Sequence, residues 1–401
     1  MNIKSLFLSS AAVFLAISGA QAASTVIPEP EPVEYVRVCD AYGKGYFYIP
    51  GTETCMRLSG NVRTDFLGGD NIDATTNAEL AAKRKTYSAS SQLTLVFQTA
   101  SETEMGTLRS YARVSSNWSN GANKDGAKLA AAYIELGGFR VGLDDTIFNS
   151  WTGDYGNVLN DDSIAPAGIT RTNFISYTFS GDSGFSAIIG AELGNASFKS
   201  DDLTYYYINQ DDKIALVPSN DLPPSKGVKN YTPNLILGMK FMQKWGGFST
   251  VVAYDSYYKK WAGKVRADFN VNDRFNLWVM AGYKNSVDYY TADKDNTLSR
   301  QNTTIYANWG GKWAAWAGAT YKLTPKANLN AQVSYSAVKT FATSVNIAYT
   351  LVPGFVITPE LTYVSWNDDR TLKSVDNSTT YTYALNKKNA FQGMIRLQRS
   401  F

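Results

Sequence analysis

Acidic side chains are concentrated in one segment of the chain, residues 144–170. This segment has no Lys or Arg, and it contains Asp144, Asp145, Asp154, Asp161 and Asp162. It also carries apolar residues, such as Phe148 and Trp151, that a freely exposed loop would not need. Long loops of this kind are usually functional in compact proteins. The alternative is a solvated surface loop with ordinary Asp content.

The composition argues against catalysis. The 401 residues include no His, which excludes Ser-His-Asp and Cys-His catalysis, His-ligated zinc and the usual general base near neutral pH. No Gly-rich nucleotide-binding motif is present. A formal net charge of +3 gives no polybasic footprint for nucleic acid. We therefore expect no enzyme, no metal site, no cofactor and no nucleic-acid partner.

The first 22 residues are typical of a secretory signal peptide. A basic Lys4 precedes an apolar stretch from Leu6 to Ile17, and Ala20-Gln21-Ala22 has the small-x-small pattern of a cleavage site. About 12 apolar residues are too few to span a bilayer. We expect residues 1–22 to be removed and the mature chain to begin near Ala23.

Two cysteines, Cys39 and Cys55, precede the regular part of the chain. An exported protein meets an oxidising compartment in which thiols pair. We expect one disulfide closing a small loop in a periplasmic-side segment, residues 23–54. Two free buried thiols are the alternative, and a metal site is weaker because no further Cys or His is available.

The elements that would position these residues are β-strands. Leu329, Ala331 and Val333 alternate with Asn330 and Gln332, which places apolar and polar side chains on opposite faces of a strand. Sixteen such segments are centred near residues 60, 93, 111, 133, 141, 175, 188, 238, 252, 265, 279, 318, 331, 347, 360 and 395. Short turns largely alternate with long connections between them.

An even number of antiparallel strands with short turns at one end and long loops at the other is typical of an outer-membrane barrel. We expect an all-β fold, a 16-stranded antiparallel transmembrane β-barrel spanning residues 55–401. The final strand, Phe391 to Phe401, ends in an aromatic residue, and Pro359 predicts a bulge in its strand. The alternative is a soluble β-sandwich with its apolar faces turned inward.

The polar face of these strands would line the lumen. It carries basic residues on the first, third and last strands, namely Arg57, Arg63, Arg109, Arg113 and Arg396. Closing the barrel places the last strand beside the first, so these five predict one basic wall. An acidic loop folded inward against that wall would narrow the pore and set a transverse field. For each arginine, the alternative is a solvated wall residue without a role in selection.

Several stretches resemble the alphaproteobacterial porin family (porin type 2). They are EYVRVCDAYGKGYFYIPGTETCMRLSG, GLDDTIF, VLNDDSIAPAG, VVAYDS, WAGKVRADFNV, LVPGFVITPE and the final RLQRSF. The resemblance implies a homotrimeric general-diffusion porin in the outer membrane of a Gram-negative bacterium, in contact with lipid and lipopolysaccharide. Its third extracellular loop would be an inward-folded constriction loop, residues 144–170. The eyelet acids would be among Asp154, Asp161 and Asp162, facing arginines drawn from Arg57, Arg63, Arg109 and Arg113.

Two channel functions remain open on the sequence. One is a passive, water-filled channel for ions and small hydrophilic solutes. The other is a substrate-selective channel, for oligosaccharides for example, with lumen-side Tyr111 and Trp278 as a slide. A secreted β-rich adhesin or enzyme is a third class.

Overall fold

The computed structural model describes residues 37–72, 87–119, 121–153, 156–167, 171–194, 204–218, 231–301, 305–368, 370–383 and 389–401. The expected signal peptide and the first part of the segment 23–54 lie outside them. None of the helices within these ranges is long and apolar enough to cross a membrane.

Sixteen antiparallel strands of the described chain form a closed barrel. They are β2 (Cys55–Gly69), β3 (Tyr87–Thr103), β4 (Gly106–Ser119), β5 (Ala122–Leu136), β6 (Phe139–Asp145), β7 (Arg171–Ser180), β8 (Phe185–Glu192), β11 (Asn234–Gln243), β12 (Gly246–Asp255), β13 (Lys260–Asn272), β14 (Phe275–Lys284), β17 (Trp313–Thr324), β18 (Ala327–Ser336), β19 (Thr340–Val352), β20 (Phe355–Trp366) and β23 (Asn389–Ser400). Pairs from Asn61↔Ser400 to Gly69↔Gln392 join β23 to β2 and close the ring. Each predicted strand centre falls in one of these strands, so the fold prediction is confirmed.

The barrel is apolar outside and polar inside. Outward Leu237 and Val265 are each 57% exposed, whereas inward Asn330 and Gln332 are 2% and 5% exposed. A soluble protein has the opposite distribution, because its apolar side chains are withdrawn from solvent. An exposed apolar surface around a closed sheet is the lipid-facing band of a membrane barrel, and the sandwich alternative is excluded.

Aromatic side chains form two belts on the outer surface. At the long-loop end, the Trp261 and Tyr283 ring centroids are 5.4 Å apart, and those of Trp313 and Tyr335 are 5.9 Å apart. At the short-turn end, Phe275 and Tyr321 are 6.3 Å apart. Amphipathic rings at both membrane interfaces fix the height of a barrel in the bilayer.

The bulge predicted at Pro359 is absent. Pro359 pairs with Ile395 of β23 without a shift, and the ladder to β19 resumes in the same register at Tyr349↔Ile357 after Asn346↔Glu360. The missing N–H therefore interrupts the ladder on one side only, and β20 keeps its alternation.

Three hairpins from the long connections assemble a second sheet. Its six strands are β9 (Tyr205–Ile208), β10 (Lys213–Leu216), β15 (Tyr289–Ala292), β16 (Leu298–Gln301), β21 (Arg370–Ser374) and β22 (Thr380–Tyr383). Ile214, Tyr290, Leu298, Leu372 and Tyr381 form its buried core. This outer sheet lies at the long-loop end of the barrel.

A disulfide-closed hairpin lies at the opposite, short-turn end. Strand β23 pairs with β2 only from Asn61 onwards. Strand β1 (Phe47–Tyr48) pairs with the first two residues of β2, Cys55 and Met56. Cys39 and Cys55 form a disulfide with a Cα–Cα distance of 6.1 Å, which confirms the predicted pairing.

The constriction inside the barrel

The chain turns into the barrel at Thr146. Strand β6 ends at Asp145, and residues 147–150 form the one-turn helix α1 (Ile147–Ser150). Thr146 precedes the helix and accepts a hydrogen bond from the Phe148 N–H through its side chain. The described residues that follow, 146–153 and 156–167, are here called the inward segment.

A buried glutamate holds the start of the inward segment. Glu192 ends β8 and is 1% exposed. Its carboxylate accepts the Ile147 N–H at 2.6 Å, the Thr146 hydroxyl at 2.7 Å and the Tyr306 hydroxyl at 2.8 Å. Burying a carboxylate without hydrogen-bond donors would be costly, and these three donors stabilise Glu192 at its buried position.

A second glutamate holds the middle of the inward segment, on the far wall. Glu360 of β20 accepts the N–H groups of Leu159 and Asn160 at 2.5 and 2.6 Å. The Asn346 side-chain amide donates to the same carboxylate at 2.9 Å and also to the Asn157 carbonyl at 2.9 Å. Strands β19 and β20 thus bind a segment that begins at β6, so the segment crosses the lumen.

A hydrophobic core fills the space between the inward segment and the wall. Phe148, Trp151 and Ile164 of the segment join lumen-facing residues of β11 to β17 such as Met280 and Trp316. The Trp316 indole N–H donates to the Ile164 carbonyl at 2.7 Å. The remaining passage therefore lies towards the opposite wall, β2 to β6 and β23.

A second stretch, residues 305–311, also folds inward. The rings of Tyr306 and Trp309 lie 5.4 and 6.4 Å from Phe148. The Asn308 N–H donates to the Ala167 carbonyl at 2.7 Å. The sequence reasoning missed this stretch, although apolar residues in a long polar connection are the signal that identified the inward segment.

The wall facing the passage has two charge clusters. In the first, Arg396 makes a bidentate pair with Asp65 at 2.7 and 2.9 Å, and Arg63 lies 3.7 Å from the same carboxylate. Asp161 of the inward segment is within electrostatic range of Arg63. This cluster sets two guanidinium groups against one wall carboxylate.

The second cluster is balanced. Arg113 contacts Asp145 at 3.2 Å and Asp144 at 3.7 Å. Arg140 contacts Glu135 at 2.6 Å and Asp144 at 3.4 Å. Arg171 lies 3.6 Å from Asp145, so three cations face three carboxylates.

Comparison with known proteins identifies the family. Residues 24–394 match the family model of the Porin subfamily. The chain belongs to this family. It is 42% identical to the porin Omp2b of Brucella suis over 411 residues and 40% identical to the porin Omp2a of Brucella melitensis over 422 residues, covering the whole of each chain.

Solved structures share the fold of this porin. The outer-membrane channel DcaP of Acinetobacter baumannii aligns over 88% of this chain and 99% of its own, with a TM-score of 0.56 and 16% identity. A mutant of the Rh. blastica porin aligns over 86% and 100%, with a TM-score of 0.52 and 14% identity. The porin is an outer-membrane, multi-pass β-barrel and a diffusion channel, not an enzyme.

The five predicted arginines of this porin share one wall but not one level. Arg63, Arg113 and Arg396 belong to the two clusters. Arg57 and Arg109 lie nearer the short-turn end, against Tyr46 and Tyr42 of the disulfide hairpin. The sequence reasoning missed Arg140 and Arg171.

The predicted acids also separate. Asp144 and Asp145 pair with Thr172 and Arg171 in the β6–β7 ladder, so they are strand residues and the loop begins two residues later than expected. Asp161 precedes the short 3₁₀ helix Asp162–Ile164. Asp154 and the side chain of Asp162 lie outside the described part of the porin.

Three further cations lie beneath the inward segment, and the sequence reasoning did not select them. The Lys264 ammonium lies 4.7 Å from the Phe148 ring, and the Lys240 ammonium lies 4.4 Å from the Trp151 ring. Arg266 lies 4.4 Å from Trp278, which is 7% exposed. Trp278 is thus covered and not available as a slide for solutes.

Proposed function

We propose that the porin is a passive, water-filled channel for ions and small hydrophilic solutes, with its narrowest aperture between the inward segment and the wall of Arg63, Arg113 and Arg396. The observation that carries this is the fixing of the segment across the lumen, by Glu192 near its origin and by Glu360 on the far wall. A rigid constriction needs no energy source and no catalytic group.

The charges at the aperture support a transverse field. The cluster of Arg63, Arg396 and Asp65 has one uncompensated positive charge, and Asp161 approaches it from the inward segment. Asp162 adjoins Asp161, and Asp154 belongs to the same loop. A dipolar solute or an ion passing between them is oriented by opposed charges in a narrow space.

A substrate-selective channel is less well supported. Of the two proposed slide residues, Trp278 is covered, and Tyr111 is stacked on Tyr133 with centroids 4.8 Å apart and a 7° interplanar angle. Arg140 occupies a face of Tyr133 at 4.3 Å. These contacts use the ring surfaces that a sugar would need.

We also propose a domain organisation for the chain. Residues 1–22 are a signal peptide, residues 23–54 are a periplasmic-side segment with the Cys39–Cys55 loop, and residues 55–401 are the barrel, with residues 144–170 as its constriction loop. Outer-membrane lipid, including lipopolysaccharide, covers the apolar exterior.

A homotrimer is also proposed. Outward positions on β2 to β4 carry paired hydroxyls, Thr64 with Ser91 at 3.0 Å and Thr99 with Ser110 at 2.5 Å. The outward positions of β11, in contrast, are apolar, for example Leu235 and Leu237. Hydroxyls avoid a lipid-facing surface unless protein covers them. Chemical cross-linking in detergent should give a three-chain product, and a monomer at all concentrations would contradict this.

Planar-bilayer recording tests the channel. Purified protein should give stepwise, ohmic conductance without any energy source, and liposomes should swell at rates that fall with sugar size. If one class of sugar instead blocks the ion current, and the block saturates at low sugar concentration, the substrate-selective channel would be favoured. Silence over many insertions would remove both.

A further inference from the structure

The disulfide hairpin, residues 39–55, packs inside the barrel mouth. Its buried core consists of Cys39, Tyr46, Cys55 and Ala100. Ala100 of β3 pairs directly with Cys55 and with Arg109, which are on the lumen face, and it is fully buried. Directly opposed residues of antiparallel strands share a face. The hairpin therefore covers the inner wall of β2 to β4 at the periplasmic end.

Two wall arginines are held by this hairpin. The Arg57 guanidinium lies 5.3 Å from the Tyr46 ring centroid, and that of Arg109 lies 5.8 Å from the Tyr42 ring centroid. The hairpin backbone also abuts Arg57, since a Cβ added at Gly45 would lie 3.5 Å from the Arg57 Cδ. A guanidinium over an aromatic face is attracted by the ring quadrupole and is held in position without losing its charge.

These two arginines differ from those at the constriction. Within the described residues, neither has a carboxylate within 4.0 Å, whereas Arg113, Arg140 and Arg396 are each paired. The hairpin itself carries one cation, Lys44, and two acids, Asp40 and Glu53, and Arg37 just before it lies 4.0 Å from Glu53. Glu102 lies at the rim near Tyr42 and accepts a hydrogen bond from Thr107 at 3.1 Å. Glu135 is directly opposite Arg109 in the β4–β5 ladder, but it is paired with Arg140 at 2.6 Å.

We propose that the disulfide hairpin forms a second, anion-attracting selectivity element at the periplasmic mouth, in which Arg57 and Arg109 supply the charge and Tyr46 and Tyr42 hold it in place. This rests on the proposed channel function and deepens it. A solute crosses the aperture first and the mouth second, so the two elements act in series. Fixed positive charge at a narrow mouth raises the local concentration of small anions such as chloride, phosphate and carboxylates.

The test is the reversal potential of single channels in a KCl gradient. The double variant Arg57→Gln with Arg109→Gln should lower the anion-to-cation permeability ratio roughly two-fold at low salt. The effect should fade at high salt, because the Debye length shortens from about 10 Å at 0.1 M to about 3 Å at 1 M. Arg109→Lys keeps the charge and should leave the ratio close to that of the unaltered protein.

Two further variants separate the positioning of Arg109 by Tyr42 from a general effect of net charge. Tyr42→Leu removes the ring face that holds Arg109 and should give an intermediate ratio with noisier open-channel current. Lys326→Gln removes an exposed cation from the turn between β17 and β18, at the same end of the barrel, and should change nothing. If the double variant does not show the mobility shift of a folded barrel in unheated gels, Arg109→Gln alone decides, with about half the effect.

The outcomes are distinct. An unaltered permeability ratio in folded, conducting Arg109→Gln or double-variant channels overturns the proposal and leaves the channel function intact. An equal change from Lys326→Gln also overturns it, because the effect would then follow from net charge alone. Absence of conductance in the unaltered protein instead removes the proposed channel function.

Discussion

Glu360 accepts the backbone N–H of Asn160 at 2.6 Å, from a residue 200 positions away in the chain. The contact joins the inward segment to the wall opposite its point of origin. Because the donor is a backbone N–H, a substitution at Asn160 keeps it, whereas a substitution at Glu360 removes the acceptor.

We expect Glu360→Ala to loosen the middle of the inward segment. Two hydrogen bonds to a charged acceptor are lost, each worth about 1.5 kcal/mol, so local opening should become easier by about 3 kcal/mol. Amide hydrogen exchange at Leu159 and Asn160 should accelerate roughly a hundred-fold, and open-channel noise should rise. Glu360→Gln keeps one acceptor and should be intermediate. Glu104→Gln, on the exposed β3–β4 turn, is the control. If Leu159 and Asn160 exchange at the same rate in Glu360→Ala as in the unaltered protein, Glu360 does not hold the inward segment.

Tyr306→Phe should detach the second inward stretch without releasing the first. The variant removes only the hydroxyl that donates to Glu192 at 2.8 Å, while Thr146 and Ile147 still donate. Exchange at the Asn308 amide should rise by about ten-fold, which corresponds to about 1.4 kcal/mol, and exchange at Ile147 should not change.

Tyr335→Phe removes a hydroxyl from the outer aromatic belt and serves as the control. Parallel acceleration at Asn308 and Ile147 would mean that the two stretches open as one unit, contrary to this expectation.

The strands of this porin can be predicted from the sequence because each wall strand has one face towards lipid and one face towards the lumen. Lipid on one side and water or loop on the other impose a period of two on every wall strand, and Val265 beside Lys264 is an example. The Cys39–Cys55 pair is readable for a different reason, since exported thiols pair and only two are present.

The contents of the lumen are less readable. Lys264 looks like a lumen-facing cation in the sequence, yet the inward segment buries it to 1% exposure over Phe148. Whether Asp145 ends a strand or starts a loop depends on its ladder partner Arg171, 26 residues later. These features are set by long-range packing, on which strand periodicity carries no information.

Asp65→Asn should shift the ion preference towards anions. Asp65 is the only wall carboxylate within 4.0 Å of Arg63 and Arg396 in the described chain, so its neutralisation leaves two uncompensated cations at the aperture. The reversal potential in a KCl gradient should move accordingly, and unfolding should become easier by roughly 2 kcal/mol through the lost bidentate pair. Arg399→Gln alters a cation on the outward face of β23 and should leave the reversal potential in place.

Asp161→Asn, alone and with Asp162→Asn, should shift the zero-current potential in the same direction for a different reason. Asp161 approaches Arg63 from the inward segment and Asp162 follows it in the chain, so we expect their loss to allow the arginine wall to dominate the field. The shift should add to that of Asp65→Asn only partly, because Asp65 and Asp161 both act on Arg63. Asp182→Asn, on the exposed β7–β8 turn, is the matched control. An unchanged potential in conducting Asp161→Asn channels would place these acids away from the aperture, and the opposed-charge arrangement proposed for the constriction would then be wrong.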